Sequence, residues 1–149
     1  QHKPGLEGDD ILGIWATGDN FFRGYDKIVV SGDKDLKYTI PGAHWNPAKD
    51  FHTGIVQITE EQADYGHLFQ TLTGDAVDGY KGIPGIGPKK AAKILEHPEL
   101  TMWEAIVQAY EKAGLTEEDA LVQARVARIL RASDYDFAKQ QPILWSPST

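Results

Sequence analysis

Residues 82–95, GIPGIGPKKAAKIL, restrict the fold more than any other stretch, because three glycines and two prolines fall within its first seven positions. No helix or strand interior tolerates that density of residues that lack a side chain or an amide hydrogen. The backbone must therefore turn tightly here. Pro88 suits the first position of a helix, so the spacing predicts one from about Pro88 to Leu95. Gly85 and Gly87 let the backbone approach a ligand closely, and the amides opening the next helix favour an anion. Lys81, Lys89, Lys90 and Lys93 add positive charge, while Ile83 and Ile86 are expected to pack the turn onto its flanking helices. Such a loop reads phosphate backbone rather than base sequence. The plainer alternative is a tight interhelical loop with solvated lysines.

Just ahead of this run stand Asp75 and Asp78, three residues apart. Glu7, Asp9 and Asp10 form a second acidic cluster, and Asp33 and Asp35 a third. These seven carboxylates match the whole formal net charge of −7, so the charge is segregated rather than spread. An acidic total excludes a plain basic nucleic-acid binder. Each cluster alone reads as a cap, a turn or a solvated face. Three clusters drawn together would repel unless cations neutralise them, and all-oxygen donors suit Mg²⁺ or Mn²⁺. Two such ions about 3.5–4 Å apart would serve phosphodiester cleavage.

The scaffold follows from periodicity and caps. Ile11, Leu12, Trp15 and Ala16 recur at helical spacing in EGDDILGIWATG. KIVVS reads as a buried strand with Asp33 and Asp35 at its C-terminal end, two apart and hence on one side of a regular strand. TGIVQIT reads as a second strand. Thr59 opens a capping box and a helix through Leu72, Thr101 opens another ending near Gly114, and TEEDALVQARVARILRAS supplies a last long helix with a threonine cap. On that helix Arg125, Arg128 and Arg131 share a face, either as a phosphate track or simply solvated. The tail QQPILWSPST is expected to pack as an extended segment. The fold class is α/β: residues 1–59 mix strand and helix, and residues 60–149 are mainly helical.

Composition excludes several classes. Cysteine is absent, so there is no disulfide framework and no thiolate site. No apolar run is long enough to span a bilayer and no leader pattern is visible, which predicts a cytoplasmic setting with no membrane partner. The five histidines show no metal spacing, and Trp103, Ile106, Val107 and Tyr110 recur as core positions.

PGLEGDDILG, VVSGDKDLK and TGDAVDGYKGIPGIGPKKAAKIL together resemble the ordered motifs of the 5′ nuclease, or flap endonuclease, superfamily, with Gly8 where alanine is usual. HLFQTLTGD, AGLTEEDALVQARVARILR and the terminal LW extend the likeness to the 5′→3′ exonucleases of short-tailed bacteriophages, and hence to a bacterial host cytoplasm. The resemblance implies the C-terminal part of a three-layer parallel-sheet nuclease core, followed by a helix–three-turn–helix (helix–hairpin–helix) DNA-binding region. It implies a first metal site at Glu7, Asp9 and Asp10, and a second formed or supported by Asp33, Asp35, Asp75 and Asp78. It also implies a duplex-gripping hairpin at Gly82–Gly87, with K⁺ at the loop carbonyls. Substrates would be double-stranded or flapped DNA, or the RNA of RNA–DNA hybrids. Family members carry an upstream half with further ligands, and Gln1 stands where methionine would start a chain. The sequence therefore reads as a C-terminal piece whose partner is the missing N-terminal half, and whose strands want a neighbour. The competing reading is a non-catalytic helix–hairpin–helix module that positions DNA.

Overall fold

A computed structural model describes residues 5–148. Among them run helices α1 (Gly8–Thr17), α2 (Lys34–Thr39), α3 (Glu60–Thr73), α4 (Pro88–Leu95), α5 (Met102–Lys112) and α6 (Glu117–Ala127), and strands β1 (Ile28–Val30), β2 (Gly42–Trp45), β3 (Val56–Ile58), β4 (Tyr135–Asp136) and β5 (Gln141–Pro142). The chain divides into two compact units. The first takes in the described residues to Ala63 together with Ile129–Leu144, and the second Asp64–Arg128 with the tail from Trp145. The backbone thus passes from one unit to the other three times.

In the first unit, α1 opens with Glu7 as its cap and Asp10 accepting from the Glu7 amide at 3.1 Å. Its acidic first turn complements the helix dipole. The strands order β1-β2-β3, with β1 and β2 parallel (Val29 opposite His44) and β2 and β3 antiparallel (Ala43 opposite Gln57). The small sheet is thus mixed rather than all parallel. Strand β2 was not expected. Its GAHW sequence lacks β-branched residues, and it is held partly by His44, which is buried and whose Nε2 donates to the Ile40 carbonyl at 2.7 Å. Burial pushes the His44 imidazole below its usual range. Lys37, at the end of α2, donates to both Asp50 oxygens at 3.0 and 2.8 Å, and this bond holds the Asp50 carboxyl low.

Three polar ties draw residues 129–134 onto the first unit's N-terminal elements. The Leu130 amide donates to Asp10 Oδ1 at 3.1 Å, the Ala132 amide to Thr17 Oγ1 at 2.8 Å, and Arg131 to the Thr39 carbonyl at 3.1 Å. Gly13 makes this approach feasible, since a Cβ there would lie 2.2 Å from the Leu130 carbonyl oxygen. These ties correct the expected long last helix. The α6 helix stops at Ala127, Arg128 is its C-cap in an extended conformation, and Arg131 lies beyond it, buried. Arg125, Arg128 and Arg131 therefore do not form one helical face. The expected extended tail supplies β5, which pairs with β4, and the chain enters the second unit at Trp145.

The outer edge of β1 pairs with no strand among the described residues. Ile28 and Val30 are 44% and 59% exposed along it. Beside them lies a groove of about 210 Å³ walled by Leu12, Trp15, Phe22 and the strand itself.

The second unit packs its four helices around a contiguous apolar cluster of Leu68, Leu72, Ile83, Ala91, Leu95, Ile106, Tyr110 and Ala120. Thr101 and Thr116 cap α5 and α6 in reciprocal boxes with Glu104 and Asp119, as expected. Buried polar groups are matched: Tyr110 Oη donates to the Thr71 carbonyl at 2.6 Å, and His67 Nε2 to the Ala124 carbonyl at 2.7 Å. Trp145 stacks edgewise on His67 and Trp103, with Arg125 Nε donating to its carbonyl at 3.1 Å.

Candidate functional site

Residues 74–87 connect α3 to α4 and carry the most specific sequence signal. The loop 74–82 is closed by reciprocal backbone bonds between Asp75 and Tyr80, at 2.9 and 3.1 Å, and by the Ile83 amide bonding the Leu72 carbonyl at 2.9 Å. At its neck two backbones touch. Gly82 has φ +56°, and a Cβ there would lie 2.4 Å from the Gly74 nitrogen. No side chain fits at that crossing, which is why glycine stands on both sides of it.

The closed loop presents Asp75 and Asp78 together. Their carboxylates offer oxygens within 4.8 Å of each other. Asp75 Oδ1 also accepts from the Val77 and Asp78 amides at 2.8 and 3.3 Å, which fixes its orientation, while Asp78 is exposed. Beyond the neck the chain turns again. The Ile86 amide bonds the Ile83 carbonyl at 3.1 Å, Gly85 takes φ +81°, and Gly87 caps α4 with Pro88 following. Ile83 is 3% exposed in the apolar cluster and Ile86 packs against it, as their spacing predicted. Lys81, Lys89, Lys90 and Lys93 are all exposed. Lys90 Nζ donates to the Gly85 carbonyl at 3.2 Å, drawing its ammonium over the turn.

The first unit's acids have local duties. Asp33 and Asp35 do not project from a strand: Asp33 caps α2, its Oδ1 accepting from the Asp35 amide at 2.8 Å, and Asp35 lies in the first helical turn. The expected same-side projection of a strand is therefore replaced by a cap and its N-terminal turn. A cap was the plain reading of any DxD, and it competes with strand continuation once β1 has ended at Val30. Asp10 is bound through both oxygens, to the Glu7 and Leu130 amides. Glu7 is exposed as the cap of α1, and Asp9 is half-buried in its first turn.

One contributor escaped the sequence reading. Gln123, on α6, places Oε1 at 3.1 Å from the Lys81 amide and 2.9 Å from the Gly82 amide. No local pattern marks it, because the partners are some forty residues away.

No protein-family model matches the chain. It is 38% identical over 178 aligned positions to the exonuclease of Escherichia phage T7, and 35% identical to the exodeoxyribonuclease of Enterobacteria phage T3. Each comparison covers 97% of this chain and 57% of the relative, so the chain spans little more than half the length of these curated relatives. A 5′-3′ exonuclease of Mycobacterium tuberculosis is 35% identical over 62% of this chain and 33% of its own length.

Proposed function

The chain belongs to the 5′ nuclease family, and from this we propose that it forms the C-terminal part of a metal-dependent 5′→3′ exodeoxyribonuclease acting on duplex or flapped DNA, with the RNA of hybrids as a further substrate. The observation that carries the reading is the continuity of one segment. The paired carboxylates Asp75 and Asp78, the glycine turn and the lysines of α4 follow one another within residues 74–95. In this reading α3, residues 74–87 and α4 are the helix–three-turn–helix, residues 1–59 belong to the three-layer nuclease core, and residues 60–149 form the DNA-binding region.

The donor chemistry fits hard divalent cations: carboxylate oxygens only, with Asp75 already oriented by two amides. Asp33, Asp35, Asp75 and Asp78 would hold or support one ion, and Glu7, Asp9 and Asp10 the other. When bound, Mg²⁺ or Mn²⁺ supplies a nucleophilic water at neutral pH and charge for the leaving oxygen. The chain's own work is positional. Lys81, Lys89, Lys90 and Lys93, with the amides of Gly85 and Gly87, bind phosphates and hold the strand in register. A K⁺ ion at the loop carbonyls would compete with Lys90 for the Gly85 oxygen. The open edge of β1, with Ile28 and Val30 exposed, supports a partner role for the part of the longer relatives that this chain does not span.

A non-catalytic DNA-positioning module is the second reading, favoured by the backbone duties of Asp10, Asp33 and Asp75. Incubating 5′-labelled duplex DNA and Mg²⁺ with the chain, alone and mixed with the portion of the T7 relative it does not span, separates the two. Cleavage in the mixture that Asp78→Asn abolishes without loss of DNA binding supports the nuclease, and cleavage unaffected by Asp78→Asn removes the metal role. Lys89→Ala with Lys90→Ala should lower the salt slope of duplex binding by about 2, and an unchanged slope sinks the phosphate grip.

A further inference from the structure

We infer that Gln123 is a positioning residue that locks the acidic loop and the phosphate-binding turn into one rigid piece; the inference rests on the nuclease reading above. Lys81 and Gly82 are the joint between the two. On one side of it the chain closes through Asp75 and Tyr80 to present Asp75 and Asp78, and on the other it runs into the glycine turn and α4. Gln123 Oε1 accepts from both amides of that joint, at 3.1 and 2.9 Å. One oxygen serving two successive amides fixes both the position and the direction of the backbone there.

The neck itself has no slack, because Gly82 at φ +56° lies against the backbone of Leu72, Thr73 and Gly74. The platform beneath Gln123 is equally fixed. Ala120, one turn before it on α6, and Ala124, the residue that follows it, are fully buried, and the Ala124 carbonyl also receives the His67 hydrogen bond. A movement of the joint would therefore shift the carboxylate pair relative to the lysines and turn amides that grip phosphate. Groups that orient ligands in this way commonly govern metal affinity although they never touch the ion.

The test uses the 149-residue chain with three readouts: amide hydrogen exchange, Mn²⁺ titration followed by paramagnetic broadening of the residue 75–78 amides, and duplex binding. Gln123→Met keeps the length and removes the acceptor, whereas Gln123→Glu keeps an acceptor. Gln123→Met should speed exchange at Lys81 and Gly82 and weaken Mn²⁺ by about tenfold, while the midpoint of thermal unfolding of α5 and α6 stays in place. Gln123→Glu should retain the exchange protection. Unchanged exchange in Gln123→Met overturns the inference, as does faster exchange with unchanged Mn²⁺ and DNA affinity. Loss of protection in both variants reduces Gln123 to a general helix contact and overturns it too. Absence of Mn²⁺ broadening in the unaltered chain strikes instead at the metal role of Asp75 and Asp78, and separates failure of that reading from failure of the brace.

Discussion

The two units solve the problem of holding a backbone in place by different means. The unit built on α3–α6 relies on one contiguous apolar cluster, and its buried hydroxyl and imidazole groups find carbonyl partners inside it. The unit built on β1–β3 relies on side-chain-to-backbone ties across long sequence separations, from Asp10, Thr17 and Arg131, and on the Lys37–Asp50 pair. It also leaves Leu12, Phe22, Ile28 and Val30 exposed, where the helical unit exposes chiefly Val77, Val122 and Val126. A filled core tolerates the loss of a surface contact, because its stabilisation is spread over many contacts. A tied scaffold with an open strand edge depends on a few bonds.

The largest loss is expected from disturbing the neck of the helical unit. Gly82→Ala puts a Cβ within 2.4–2.7 Å of three backbone atoms at positive φ, and should cost about 3 kcal/mol or more by urea unfolding. A cost below about 1 kcal/mol would mean that the crossing is looser than described. Leu72→Ala, at a fully buried cluster position, should cost roughly 3 kcal/mol. The tied unit should yield to smaller cuts. Thr17→Val leaves the Ala132 amide without its acceptor and should cost about 1–2 kcal/mol, with faster amide exchange at residues 130–134. Exchange unchanged there would remove the distinction between the units.

Proton linkage sharpens the contrast from another side. His44 titrates below its ordinary range when folded, so protonation favours the unfolded chain. The contribution is complete above about pH 6.5 and falls as the pH drops below it. Asp50, held low by Lys37, adds a further loss at still lower pH, below the usual carboxylate range. Tyr110 behaves oppositely. Burial raises its pKa, so its stabilisation is lost only as the pH climbs past the ordinary tyrosine value near 10. Residue-resolved exchange across this range should show the sheet opening first in acid and the helical cluster first in alkali; the reverse order contradicts the assignment. The smallest effect is expected at the edge, where Val30→Thr should change stability by less than about 0.5 kcal/mol yet weaken association with the complementing part of a relative.

Sequence logic reached furthest where structure is local. The threonine caps, the Pro88 start of α4 and the inward face of Ile83 are set by residues within one or two turns, so pattern and geometry agree. It fell short where distant groups compete for the backbone. Nothing near residue 128 announces that α6 will stop, because the amides of Leu130 and Ala132 are claimed by Asp10 and Thr17 more than a hundred residues away. Asp33 and Asp35 were recognised as a pair but assigned to a strand, since a Gly32 break and a short helix look alike from composition. The acids and lysines of residues 74–95, as a candidate site, stood out in the chain by type and spacing. Gln123 was not, because a lone glutamine on a helix carries no signature.

The threefold passage of the backbone between units has a genetic corollary. Neither compact body corresponds to an uninterrupted run of codons, so a recombination breakpoint inside either would strand residues that the other requires. Exchange among related genes should then disfavour junctions between residues 63 and 145, where each body is interrupted by the other.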